Sequence, residues 1–211
     1  MRGMARASEE RIRERRGEIL GACERLYRER SFKEVTIKEI SKETSFSRPS
    51  IYNYFETREE IFLALLQREY ESWTEGLRRI CGGEELSREE LSEGISRSLS
   101  ERELLLRIQA MNLYEIEEHS REERLEDYKR VYLSAVEEIR RCLRRTKPPL
   151  SEEEMRDFIY AFFPFMYGIY PYVHPTCKQC RAMDRVGISH PETDIYTICR
   201  RFLRRMLGRR S

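Results

Sequence analysis

Along almost the whole chain, apolar residues return every three or four positions with polar ones between them, the period of a helix that buries one face. Ile12, Ile19, Leu20, Cys23, Leu26 and Tyr27 predict a first helix over about 9–30. Ile61, Phe62, Leu65, Leu66, Tyr70 and Trp73 predict a long one over about 57–80, broken by "CGGEE" at 81–85. Helices are expected again over about 87–98, 100–118 and 121–146, the last stopped by Pro148-Pro149. Another runs from Ser151 towards Tyr170, and a final one from about Pro191 to Leu207. The aromatic run "IYAFFPFMYGIYPY" suggests a strand, but its start is capped as a helix. The expected fold class is all-α.

Repeated start signals support that reading. A Ser or Thr followed three residues later by Glu makes a capping box, and apolar residues on either side staple the entry. Thr36–Glu39, Ser87–Glu90, Ser100–Glu103 and Ser151–Glu154 carry both features, and Thr57–Glu60 the box alone. Three short helices crowd into 9–56, the 57–80 helix connects, and 81–211 holds longer helices with more apolar material.

Charge adds little globally, since 40 Lys and Arg nearly cancel 38 Asp and Glu. Arginine-rich runs at 11–16 and 200–210 read as solvated helix faces. No stretch reaches the ~20 apolar residues of a membrane span, and "MRGMARASEE" lacks a signal-peptide apolar core. The expectation is a soluble, cytoplasmic protein without a membrane partner. Its six cysteines are expected to be free and mostly buried.

Within "SFSRPSIYNYF" (45–55), Phe46, Ile51 and Phe55 share helical spacing and can join Ile37, Ile40, Leu20, Cys23 and Tyr27 in a small core. Ser47 is placed to cap, and Pro49 is tolerable in a first turn. With the helix at 37–43 this gives a helix-turn-helix spacing. Ser47, Arg48, Pro49, Ser50, Tyr52, Asn53 and Tyr54 are left for another surface. They suit DNA: Arg48 can donate in bidentate fashion to guanine, Asn53 to adenine, and Pro49 can press on a thymine methyl. The hydroxyls of Ser47, Tyr52 and Tyr54, with Lys38 and Arg58, suit phosphates. On residue chemistry alone the opposing reading stays open, with Tyr52 and Tyr54 as half-buried core rings and Arg48 as a solvated cap.

The run "TIKEISKETSFSRPSIYNYFETREEIF" (36–62) resembles the helix-turn-helix of the tetracycline-repressor-like (TetR/AcrR) family of bacterial transcriptional regulators. The matching positions are Thr36, Ser47, Tyr52, Tyr54, Phe55, Arg58, Glu59 and Glu60, within a similarity covering about 10–72. Two departures stand out. Ser45 occupies a turn position where the family usually has Gly, which costs ~1 kcal/mol if the backbone keeps a positive φ there. "RPS" replaces the usual small residue and Lys or Arg, so base preference is this protein's own.

The resemblance implies a homodimer on a palindromic double-stranded DNA operator, with the last two helices pairing across the two-fold. Phe158, Phe162, Phe165 and Met166, with Ile195, Ile198, Cys199, Phe202 and Met206, supply stripes that either pair or cover the chain's own core. It further implies a repressor released by a small-molecule effector, for which Trp73, Met111, Tyr114, Phe165 and Tyr167 are candidate contacts. His174, Cys177 and Cys180, with His190 and Cys199 downstream, have metal-ligand spacing in an expected loop, a weak candidate for metal or thiol sensing. No cofactor is expected. No phosphate loop, His-Glu-x-x-His or nucleophile elbow is present, so an enzyme is not expected. The alternatives are a helical small-molecule-binding or scaffold protein without operator binding, and a metal- or thiol-responsive regulator.

Overall fold

A computed structural model describes residues 2–83, 85–189 and 192–208, with side chains from Glu10 onward. Ten helices account for most of them: α1 (Arg2–Glu29), α2 (Ile37–Lys42), α3 (Arg48–Ile51), α4 (Arg58–Ile80), α5 (Arg88–Ser100), α6 (Glu103–Glu118), α7 (Glu122–Arg144), α8 (Glu152–Val173), α9 (Cys177–Arg185) and α10 (Ile195–Gly208). The chain is all-α. One parallel pair of two-residue strands, Leu86–Ser87 and Thr146–Lys147, is the small exception.

The caps explain most of the helix starts. Full boxes open α5 at Ser87 and Glu90 and α8 at Ser151 and Glu154. Thr36 Oγ1 accepts from Glu39 N, but the Glu39 carboxylate turns to Arg30 and Lys42 instead of reaching back. The box expected at Ser100–Glu103 does not form. Ser100 ends α5 with its hydroxyl donating to Arg97 O at 2.8 Å, and α6 begins only at Glu103. Helix α10 starts at Ile195 behind Asp194, whose carboxylate accepts from Thr197 N at 2.6 Å. Pro191, the expected start, lies outside the described residues, as does His190.

The expected loop before α10 contains helix α9. Thr176 and Gln179 form a complete capping box at its start. At its end Gly187 (φ 72°) takes the left-handed turn, donating to Asp184 O while Ile188 N donates to Met183 O, a Schellman stop.

Two compact units divide the chain. The first comprises residues up to Arg68 with Asn112–Lys129, and the second Glu69–Met111 with residues from Arg130 on. In the first, Ile19, Cys23 and Tyr27 of α1, Ile40 of α2, Ile51 and Phe55, and Ile61, Phe62 and Leu65 of α4 form one buried core. Phe62 is its hub, with Tyr27 edge-on at 5.0 Å and Phe32 at 4.6 Å. Ile12, expected on the buried face of α1, is 46% exposed because it lies beyond this core.

Glu60 anchors the same unit from below. Its carboxylate is buried, and Arg121 Nε and Nη2 donate to its two oxygens at 2.5 and 2.9 Å. Glu56 N adds a bond at 2.8 Å. Thr57 Oγ1 accepts from Glu60 N and donates to His119 O at 3.0 Å.

In the second unit α5 and α10 pack along their lengths through Leu91, Ile95 and Leu99 against Ile195, Cys199, Leu203 and Leu207, all buried. Burial pushes the Cys199 thiol up to about 12. Gly94 lets α5 close on the end of α4, since a Cβ there would meet Ile80 Cγ2 at 2.8 Å. Cys81 and Cys142 form a disulfide with Cα atoms 5.3 Å apart, which corrects the expectation of free thiols throughout. Cys23, Cys177, Cys180 and Cys199 remain free.

Burial raises the Glu60 carboxyl's pKa, but the hydrogen bonds from Arg121 and Glu56 N outweigh it and leave the group below its ordinary value. A depressed folded pKa gives stability that is complete above the unfolded value and lost as pH falls through the folded one. The stability of wild type against urea should therefore fall on acidification below about pH 4, with that part of the dependence missing in Glu60→Gln. Arg121→Ala, which leaves a buried carboxylate without its cation, should lower the urea midpoint at neutral pH.

Candidate nucleic-acid interface

Helix α3 is a single turn, continued by turns that carry Asn53 N to Ser50 O, and Tyr54 N and Phe55 N to Ile51 O. Ile51 and Phe55 are buried, so one side of this short element is fixed in the first unit's core. The opposite side carries Ser47, Arg48, Pro49, Tyr52 and Asn53, all exposed, with Ser50 and Tyr54 half-buried. Thr36 and Lys38 on the preceding element are exposed too. Ser47 does not cap; its hydroxyl meets that of Ser50 at 2.9 Å.

Arginines order the rings of this segment. Arg48 Nη2 donates to Tyr52 OH at 3.3 Å, and its guanidinium lies over the Tyr52 ring. Arg15 covers Phe46 at 5.5 Å and donates to Tyr54 OH at 3.2 Å, while Arg16 covers Phe55 at 5.2 Å. Part of the arginine-rich run at 11–16 is therefore packed against α3 and its flanks.

Arg58 is the exception among the residues expected to face outward. Its guanidinium stacks on Phe32 at 4.1 Å, donates to Phe32 O at 3.1 Å and is paired with Glu59 and Glu115. With its donors committed inward, it does not belong to the exposed face.

The turn between α2 and α3 is held by a residue the sequence did not single out. Glu18 of α1 accepts from Ser45 N at 2.6 Å and from Ser45 Oγ at 3.1 Å. No non-glycine described residue has a positive φ, so Ser45 sits without the strain expected of a glycine replacement. An acidic residue on a face otherwise rich in arginine, directly before the buried Ile19–Cys23 stretch, was the available signal.

The C-terminal candidates sort differently. Trp73 is fully buried, but Met111 and Tyr114 are 55% and 84% exposed on outward faces of α6, so they do not line an enclosed site with it. Phe165 stacks on Phe202, 3.9 Å apart and nearly parallel, joining the half-exposed surfaces of α8 and α10. Tyr167 is half-buried. Phe158 and Phe162 are buried in the chain's own core and stack on each other, and Ile195 is buried as well, which removes all three from any partner face. Ile198, Phe202 and Met206 stay half-exposed at four-residue spacing along α10.

His174, Cys177 and Cys180 do not converge as metal ligands; His174 Nε2 instead faces Glu103 at 3.5 Å. Among the described residues, Cys81, Glu138 and Cys142 bring ligand atoms together, but the two sulfurs are bonded to each other. No described helix is long and apolar enough to cross a membrane.

Comparisons with known proteins agree with this layout. Residues 19–65 match the profile of bacterial regulatory proteins of the tetR family, and residues 67–208 that of a tetracyclin repressor-like C-terminal domain. The HTH-type transcriptional activator FasR of Mycolicibacterium smegmatis is 32% identical over 66 residues, 31% of this chain and 30% of that protein. An HTH-type transcriptional regulator of Bacillus subtilis, YfiR, is 33% identical over 66 residues, 31% of each protein. The matched stretch thus spans about a third of these relatives. A TetR/AcrR-family regulator from Thermobifida fusca superposes with a TM-score of 0.65 at 16% identity, covering 93% of this chain and all of that one. The fatty acid degradation regulator FadR of Bacillus halodurans gives 0.62 at 15% identity, covering 92% and 99%.

Glu18→Ala should destabilise the first unit by about 1 kcal/mol in urea unfolding, a typical net value for such exposed hydrogen bonds. Glu18→Gln, which keeps an acceptor for Ser45 N, should recover part of that loss. With both profiles matched across most of its length, the chain belongs to the tetR family of bacterial transcriptional regulators.

Proposed function

We propose that the chain acts as a homodimeric repressor. The face formed by Thr36, Lys38, Ser47, Arg48, Pro49, Ser50, Tyr52, Asn53 and Tyr54 enters the major groove of a palindromic operator, and a small molecule bound in the second unit releases it. The observation that carries this is the split of α3 and its flanks: Ile51 and Phe55 are buried while Ser47, Arg48, Pro49, Tyr52 and Asn53 are exposed. Arg48 and Asn53 then read base edges, and Lys38 with the hydroxyls fixes register on phosphates. Before it can reach guanine, Arg48 must give up its hydrogen bond to Tyr52 OH at 3.3 Å and its place over the Tyr52 ring.

A two-fold protein suits a two-fold operator, and half-sites then lie one helical turn apart. Phe165, Ile198, Phe202 and Met206 supply the half-exposed apolar stripe on which the second copy would pack. Effector release requires different affinities of the ligand for the two states of the dimer.

Selection from a random duplex pool would supply the operator. Arg48→Ala should relax preference at one position per half-site by roughly 1–3 kcal/mol, while Lys38→Ala should weaken all sites alike and lower the salt slope by about 1. Indifference of both variants would refute the groove-facing assignment. A reporter silenced by the protein and released by inducer supports repression; a reporter raised by it overturns that sign. Phe202→Arg should sediment as a monomer with α10 still helical by circular dichroism, and a persisting dimer would exclude the α8–α10 stripe.

A further inference from the structure

Two of the buried hydrogen-bond donors in the second unit that meet nothing share one neighbour. Trp73 is fully buried and Gln109 2% exposed, yet Trp73 Nε1 and Gln109 Nε2 have no acceptor among the described residues. Both border the same tyrosine. The Tyr70 ring lies 6.0 Å from that of Trp73, and its hydroxyl donates to Gln109 Oε1 at 3.0 Å. That bond occupies the carboxamide oxygen and leaves the NH2 end over.

Buried indole and amide N–H groups in folded proteins are nearly always paired, and two orphans beside one ring call for an explanation. Their surroundings are apolar: Tyr70, Trp73, Phe163 and Tyr132 form a closed circuit of rings, with neighbouring centroids 5.2–6.4 Å apart. Neither orphan carries charge, so neither supplies the cation that a buried anion would need. A carbonyl oxygen, with two lone pairs, can accept from both donors at once.

We infer that Trp73 and Gln109 bind the oxygen of an apolar small molecule carrying a neutral acceptor, a ketone, ester or amide carbonyl, with the molecule's hydrocarbon part against the ring circuit. This rests on the reading of the second unit as effector-binding and gives that effector a chemical class.

Trp73 is the single tryptophan of the chain, so the 211-residue chain shows one indole N–H resonance. The probes are methyl ketones from hexanone to tetradecanone, the alkanes of matched length and the matched carboxylates. The expected result is a downfield move of the indole proton with ketone only, and ketone affinity about tenfold above that of the alkane. Gln109→Leu should reduce that ketone-to-alkane ratio about fivefold, and because it is a ratio within one protein, a general loss of stability cancels. An indole resonance unmoved by every ketone, equal affinity for ketone and alkane, or preference for the carboxylate would each overturn the assignment.

Operator binding followed in parallel separates the two readings. Operator bound with the ketones inert removes the acceptor site and leaves the regulator reading intact. Ketones bound as described with no duplex selected removes the operator and leaves the acceptor site.

Discussion

A carboxylate with none of its side chain exposed cannot stand alone, and Glu60 is satisfied only because two stretches of chain come to it. Arg121, from the segment between α6 and α7, supplies a fork of donors, and Glu56 supplies a backbone N–H. The start of α4 is thereby fixed, and with it Phe62, whose ring holds Tyr27 of α1 and Phe32. Those contacts set the frame on which Ile51 and Phe55 seat α3. Hydrophobic burial supplies most of the driving force, but a non-directional force does not choose this arrangement over others. The buried ion pair, costly when incomplete, does.

Helix existence was legible because it depends on local chemistry. Ser87–Glu90 and Ser151–Glu154 close their boxes as the residue types require. Where tertiary partners compete for the same atoms, the reading failed. Glu39 prefers two cations to its own helix start, and Ser100 is consumed by the helix before it. Helix α9 was missed although Thr176, Gln179 and Gly187 announce both of its ends, because the metal-ligand spacing of His174, Cys177 and Cys180 drew the segment towards a loop.

The exposed face of α3 was legible from one short stretch, since buried and exposed residues alternate there with helical period. Arg58 was not, because an arginine beside an acidic pair looks the same whether it points to a phosphate or stacks on Phe32. Glu18 was passed over for a related reason: its partner Ser45 is 27 residues away. In the second unit, periodicity showed that Phe158, Phe162 and Phe202 lie on apolar stripes. It could not show that the first two face inward and the third outward, which depends on how α8 and α10 lie against their neighbours.

The Cys81–Cys142 bond closes the intervening chain, a separation of 61 residues, into a covalent ring. That ring begins and ends in the second unit but carries Asn112–Lys129, which belong to the first, and among them Arg121. A peptide bond cut anywhere between the two cysteines therefore leaves a two-piece molecule still joined as one. The stretch that completes Glu60's ion pair is tethered at both ends, and a single break in the backbone cannot release it.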